Sequence, residues 1–234
     1  MKDKVTLGAW AGMWGDSPRI IRQLLDGSRP DYLVSDYLAE ITMALLARGR
    51  AKDPEAGGFI PDAVEVMTPV LGEIAERGIR VVTNAGGLNS PALARALEAA
   101  IAEAGLELKV AYVQGDDLAT RLDEVRASGA ADMFTGEALP EQVMTMNAYI
   151  GALPVAAALD EGANIVVTGR CADSAAMLGP LIHEFDWKDD DYDLLSAGSI
   201  PSSAISRSLR ATAASAARRA RPPAWWPVSS AVVT

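Results

Sequence analysis

The sequence predicts an α/β protein built on an open, doubly wound, mainly parallel sheet of about five to six strands, with helices on both faces. Three observations carry this expectation. Short β-rich runs alternate with longer segments of helical periodicity along the chain. Several of the runs are continuously apolar, as strands buried on both faces of a parallel sheet must be. The strand–helix units number five or six, too few for the eight that close a barrel. The crossovers are expected to be right-handed.

Taken in order, the first strand is Val5–Trp10, followed by a glycine-rich turn. A helix then spans residues 18–26, with Asp16 or Ser17 placed to cap it and Pro18 suited to its first turn. Asp31–Ser35 reads as the second strand and residues 38–50 as the next helix. Over residues 61–77, Val64, Met67, Leu71 and Ile74 recur at three- and four-residue steps and mark one buried helical face, which Gly78 ends. Arg80–Thr83 is the third strand. Asn89-Ser90-Pro91 starts a helix to residue 105 whose apolar face carries Leu93, Leu97 and Ile101. Lys109–Val113 and Asn164–Thr168 complete the strands. Residues 114–147 are less regular, with Leu118–Arg126 helical and Ala131–Pro140 not. Helices follow at 148–161 and 173–184.

Composition bounds the function. A chain of 234 residues has room for one domain with a sizeable core. Half of it is hydrophobic, yet no apolar run approaches the ~20 residues of a membrane span, so no membrane partner is expected. Met1-Lys-Asp-Lys leads straight into a strand rather than a signal peptide, and the single cysteine, Cys171, suits a reducing compartment. A cytoplasmic protein is the expectation. One histidine and one cysteine are too few for a zinc site of nitrogen and sulfur ligands. Carboxylate-bound magnesium stays open, and no cofactor is assigned. Residues 1–193 hold all 31 acidic side chains and 16 of the 21 Lys and Arg, whereas the last 41 residues hold five Arg and no acid. An acidic body argues against a nucleic-acid partner.

In open α/β sheets ligands bind outside the carboxyl ends of the strands, and those ends carry the candidate residues. After the first strand, Gly12, Gly15, Asp16 and Ser17 offer close backbone approach and a helix N-terminus to an anion. This loop lacks the lysine of a P-loop, and its glycine spacing is not that of a dinucleotide fingerprint. Asp36 is either a general base tuned by burial or a helix cap. Asn84 offers an amide to a carbonyl or carboxylate, with Gly86 and Gly87 as N–H donors or simply as a tight turn. Asp116 and Asp117 are an acidic pair for a metal or for acid–base work, or one of them caps the next segment. Gly169 and Arg170 follow the fifth strand. Arg170 is placed to clamp a phosphate or carboxylate, or else to pair with Asp173 or Asp16. Cys171 reads as an inert buried thiol or as a nucleophile served by His183, the only imidazole. Trp10, Met13 and Trp14 line an apolar pocket or belong to the core.

Several motifs, in order, resemble the acyclic terpene utilisation (AtuA-like) family: Gly-Asp-Ser at 15–17, Asp31-Tyr-Leu-Val-Ser-Asp-Tyr-Leu-Ala-Glu40, Val82-Thr-Asn-Ala-Gly-Gly87, Gln114-Gly-Asp-Asp117, Asn147-Ala-Tyr-Ile-Gly-Ala152, Val167-Thr-Gly-Arg-Cys-Ala-Asp-Ser174 and His183-Glu-Phe-Asp-Trp187. The resemblance covers residues 5–200. It implies a catabolic protein in the breakdown of citronellol- or geraniol-like compounds, or of related branched acyl chains. A lyase or hydrolase acting on a hydroxyacyl-CoA thioester is one assignment. A non-catalytic ligand-binding or partner subunit, self-associating or not, is another, and an inactive truncated fragment is a third.

The resemblance ends near Ile200. Residues 1–198 read as the α/β domain and 199–234 as a tail in which Pro201–Thr234 has no Gly, Asp, Glu or Lys, and 25 of its 34 residues are Ala, Ser, Arg or Pro. Such a tail is expected to be disordered, or to derive from a frameshift near codon 200 in a GC-rich gene.

Overall fold

The computed structural model describes residues 4–200, 209–212 and 231–233. Five parallel strands form an open sheet: β1 (Lys4–Ala11), β2 (Tyr32–Ser35), β3 (Arg80–Gly87), β4 (Val110–Val113) and β5 (Ile165–Gly169), in the order β1-β2-β3-β5-β4. Two short tail segments, β6 (Leu209–Thr212) and β7 (Ala231–Val233), pair antiparallel with β1 and β4 at the two edges. The rest of the tail lies outside the described residues.

The helices divide between the two faces as right-handed crossovers require. On one face pack α1 (Arg19–Gly27), α2 (Glu40–Lys52), α3 (Asp62–Met67), α4 (Leu71–Arg77) and α5 (Ser90–Glu103), around Leu25, Met67, Leu71, Ile74 and Leu97. On the other pack α7 (Leu153–Asp160) and α8 (Ala175–Phe185), with Val155, Leu159 and Leu181 fully buried, and α9 (Tyr192–Ser199) against α8. Between β4 and α7 an arm of some 40 residues carries the short α6 (Leu122–Ala127). Because α5 leaves β3 on one face and α8 leaves β5 on the other, the chain reverses direction between these two neighbouring strands. Their carboxyl ends therefore form the topological switch point.

Local chemistry explains most element ends. Gly78 closes α4 in the left-handed conformation, at φ 64°. The Asn89 side chain accepts a hydrogen bond from Ala92 N–H and caps α5, as its position predicts. Four expectations are revised. The helix predicted over 61–77 is split by a 3₁₀ turn at Thr68–Val70, because Pro69 has no N–H for an intrahelical bond. The helix predicted from 148 starts only at Leu153. Ile150 is instead extended, its N–H donating to Arg170 O at 3.2 Å and its carbonyl accepting from Ala172 N–H at 2.9 Å. β3 runs past Thr83 to Gly87, since loop 58–60 supplies partners: Ile60 N–H donates to Ala85 O, and Leu88 N–H to Gly58 O. Helix α9, which periodicity did not reveal, is held where Gly198 lies against Trp187 and Leu178.

Gly86 is required by close packing: a Cβ there would stand 2.6 Å from the Thr168 carbonyl oxygen, and against Ser90 Oγ. Gly86→Ala is expected to cost about 1–3 kcal/mol by overpacking. Gly72→Ala, in an exposed turn of α4 where an added Cβ meets nothing within 4 Å, is expected to raise stability by about 0.5–1 kcal/mol. Urea unfolding midpoints of the two variants, moving in opposite directions, check both.

Candidate functional site

The carboxyl ends of β2, β3, β4 and β5 bring Asp36, Asn84, Asp116, Arg170 and Asp173 into one neighbourhood, and the hydrogen bonds there assign different roles from those the residue types suggest. Asp36 is no helix cap, because α2 begins only at Glu40, with the extended Ala39 before it. It lies half-buried, its Oδ1 accepting from the Asn84 amide at 2.6 Å. Asn84 is 1 % exposed, and its Oδ1 accepts from Tyr37 N–H at 2.7 Å. The amide is thus fixed at both ends and aims the Asp36 carboxyl. Burial pushes the Asp36 carboxyl above the usual carboxylate range. The Asn84 hydrogen bond works against that shift, and the neighbouring Asp173 charge adds to it.

Asp36 and Asp173 line a narrow crevice of about 10 Å³, room for about one water, whose apolar walls include Ala9, Val34, Ala176 and Met177. Asp173 is solvent-exposed at the mouth. The pair therefore sets one desolvated and one exposed carboxylate beside an apolar slot.

Asp116 is buried deeper, at 6 % exposure, and its role is architectural. Its Oδ2 accepts from Arg170 N–H at 2.8 Å and from Asn147 Nδ2 at 3.0 Å. Its carboxyl carbon lies 2.7 Å from where a Gly169 Cβ would stand, so Gly169 is the space the carboxylate occupies. Burial raises this carboxyl too. Asp117 pairs with Arg50 at 2.7 Å, and its other oxygen accepts from Ala119 N–H at 2.9 Å, a local turn two residues long.

The Arg170 guanidinium is 6 % exposed and engaged within the chain. It donates to the Leu38 carbonyl, to Tyr149 Oη at 2.6 Å and to Glu40 Oε1 at 3.2 Å, and its carbon sits 4.3 Å from the Tyr149 ring centroid. Its acidic partner is Glu40, not Asp173 or Asp16. That carboxylate is 84 % exposed and solvent-screened, so the carbonyl, the phenol and the ring do most of the holding. Burial opposes the charge, but Tyr149, Glu40 and Asp173 outweigh it and the group stays ionised.

The opening loop also turns inward. Asp16 does not cap α1. Its Oδ2 accepts from Gly12 N–H at 2.7 Å and Met13 N–H at 3.2 Å, so the donors expected to meet an anion already hold a carboxylate. Ser17 Oγ accepts from Arg19 N–H. Gly15, at φ 101°, is an exposed turn with nothing near it. A Cβ on Gly87 would meet the Gly58 carbonyl at 2.7 Å, so Gly86 and Gly87 are packed against protein rather than open. Trp10 is core, with its indole N–H donating to Tyr37 Oη at 3.1 Å, while Met13 is exposed.

His183 lies at the other end of the sheet, where Arg80 begins β3. Its Nδ1 pairs with Asp160 and its Nε2 meets Arg80. It cannot serve Cys171, which is 1 % exposed and whose thiol burial pushes up to about 12. Sequence reasoning attached no chemistry to Tyr149 or Asn147, although both stand in a quoted motif, because their partners are 21 and 31 residues away.

Two outcomes are expected. Native protein at pH 8 leaves Cys171 unmodified by a thiol reagent that reacts fully after denaturation, as a thiol colorimetric assay would record. Tyr149→Phe keeps the ring under Arg170 but removes the hydroxyl acceptor, costing about 1 kcal/mol, measured by denaturant unfolding.

Among the described residues no helix is long and apolar enough to cross a membrane. Comparison with curated proteins and with solved structures finds no match. A family model, that of the acyclic terpene utilisation family protein AtuA, matches residues 5–226, which runs past Ile200 into the tail. The match spans most of the chain and joins the strand ends, the arm and α8 in one family pattern. The chain therefore belongs to the AtuA family, a membership that implies a role in acyclic terpene utilisation.

Proposed function

We propose that the chain is a proton-transfer enzyme acting on a branched hydroxyacyl group, as a lyase or hydrolase, with Asp36 as its general base. The observation that carries this is the Asp36 carboxyl itself. It is raised by burial, aimed by the Asn84 amide and set in an apolar crevice with a second carboxylate at the mouth. A base raised toward neutrality transfers protons more effectively than an ordinary surface aspartate. Ala9, Val34, Ala176 and Met177 give the carboxyl apolar surroundings. In the lyase reading Asp36 would accept the substrate hydroxyl proton as that oxygen becomes a carbonyl and the adjacent carbon–carbon bond breaks, the released enolate taking a proton from water, while Asn84 holds the carboxylate in line.

Arg170 enters this reading as a positioning residue. Through the Leu38 carbonyl, Glu40 and Tyr149 it holds the 36–40 segment against the arm. The CoA thioester as carrier is part of this proposal, and Arg170, engaged within the chain, is not free to bind its phosphates. A second reading, a ligand-binding or partner subunit, has its own support. Met133 and Phe134 on the arm are 85 % and 88 % exposed, apolar surface of the kind that partners cover.

Turnover of branched hydroxyacyl-CoA thioesters, with a longer family member assayed in parallel, separates the two. Asp36→Asn is expected to lower the rate by roughly 10²-fold or more. The wild-type rate should rise with pH through a value above the ordinary aspartate range. Activity of Asp36→Asn equal to wild type would sink the assignment. Stability supplies a second readout. A carboxyl whose folded pKa is raised binds its proton more tightly when folded, so its contribution falls as pH climbs from about 3.9 through the folded value. Asp36→Asn removes that fall, and the variant gains on wild type over the same window in denaturant titrations.

A further inference from the structure

We propose that two copies of this chain associate by exchanging arms, the tip that carries Met133 and Phe134 on each copy docking against the outward face of α2 on the other. Met133 and Phe134 are 85 % and 88 % exposed, and Ile41 on α2 is 73 % exposed. Within one chain neither surface covers the other, and each leaves large apolar side chains to water.

Three observations make a second copy the occupant. The first is the pattern of α2. Met43, Leu46 and Ala47 join the core, while Ile41, Leu45, Arg48 and Lys52, at steps of four, three and four, form an exposed stripe. A surface helix ordinarily turns polar residues outward. Here two apolar turns face out, followed by two cations, and Arg50 is already taken by Asp117. The second is the shape and charge of the tip. Ala131 and Ala138 bridge across its base, and Asp132 N–H donates to Glu137 O at 2.8 Å. Asp132 Oδ1 accepts from Phe134 N–H at 2.9 Å and from Thr135 N–H at 2.7 Å, bonds that hold this carboxyl below its usual range. The Arg126 guanidinium braces the returning strand through the Pro140 and Glu141 carbonyls. Met133 and Phe134 are thus set between two exposed carboxylates, Asp132 and Glu137, before any partner arrives, which lowers the ordering cost of docking. Apolar side chains flanked by acid complement a stripe that is apolar and then basic. The third is placement. The arm leaves the core where Asp117 pairs with Arg50 of α2 and returns where Tyr149 Oη donates to Glu40 Oε1 at 3.1 Å. Both roots of the arm therefore stand beside the face that receives the other copy's tip. A two-fold axis next to α2 lets the two exchanges form together and closes the assembly. An unrelated partner would need only one of the two surfaces.

The association is independent of the proton-transfer reading, since none of the docking residues takes part in that mechanism. Sedimentation equilibrium of the full chain tests it. A dimer is expected, dissociating more readily as salt is added. Phe134→Ser and Ile41→Ser, both at exposed positions, should each weaken the dimer about 10-fold or more while leaving the circular dichroism spectrum unchanged. Charge reversal supplies the second measurement. Glu137→Lys alone and Arg48→Glu/Lys52→Glu alone should each weaken association, and the three changes on one chain should restore much of it, because opposite charges face one another again. A wild-type chain that stays monomeric, a dimer left intact by either serine variant, or a charge-reversed triple variant no better than its parents would each overturn the proposal.

Discussion

The Arg170 side chain is the point on which the carboxyl-terminal end of the sheet depends. Its guanidinium is buried where water would otherwise solvate it, and a buried cation must find its partners in the protein. It finds them in two separate stretches: the Leu38 carbonyl and Glu40 beyond β2, and Tyr149 at the end of the arm. The Arg170 backbone N–H meanwhile holds Asp116, which begins that arm, and Asp116 in turn fills the space left by the absent Gly169 side chain. Both ends of the arm are thereby tied to the end of β5. The topological switch point, where an α/β sheet usually offers its ligand site, is closed by the protein's own charged groups.

That closure moves the open space elsewhere. Two crevices remain at the tip of β1, one on each face of the sheet, and their chemistries differ because their walls come from different crossovers. On the α8 face the walls are alanine, valine and methionine around the half-buried Asp36 carboxyl. On the α3 face they include the edges of the buried Trp10 and Tyr37 and three carboxylates. Adjacent residues serve opposite faces: Asp36 opens to the first crevice and Tyr37 to the second. The Asn84 amide couples them, since its nitrogen donates to Asp36 and its oxygen accepts from the Tyr37 backbone.

What the sequence determined by itself was local or periodic. Short β-rich runs, several of them continuously apolar, located all five parallel strands between the helical segments. The Gly78 stop and the Asn89 cap were legible because each acts on backbone groups within a turn of itself. The presence of Asp36, Asn84, Asp116, Arg170 and Asp173 at strand ends followed from topology alone. What only the tertiary structure decided was the partner of each. Arg170 reaches 132 residues back to Leu38, Asn84 reaches 48 back to Asp36, and Asp116 takes the backbone N–H of a residue 54 positions on. Sequence spacing carries no record of such distances. Whether an arginine is a ligand clamp or a structural tie depends on whether other segments reach it before a ligand does. The glycines show the same division: composition marks where backbone can pass closely, but packing decides that a neighbouring chain, and not an anion, fills the room.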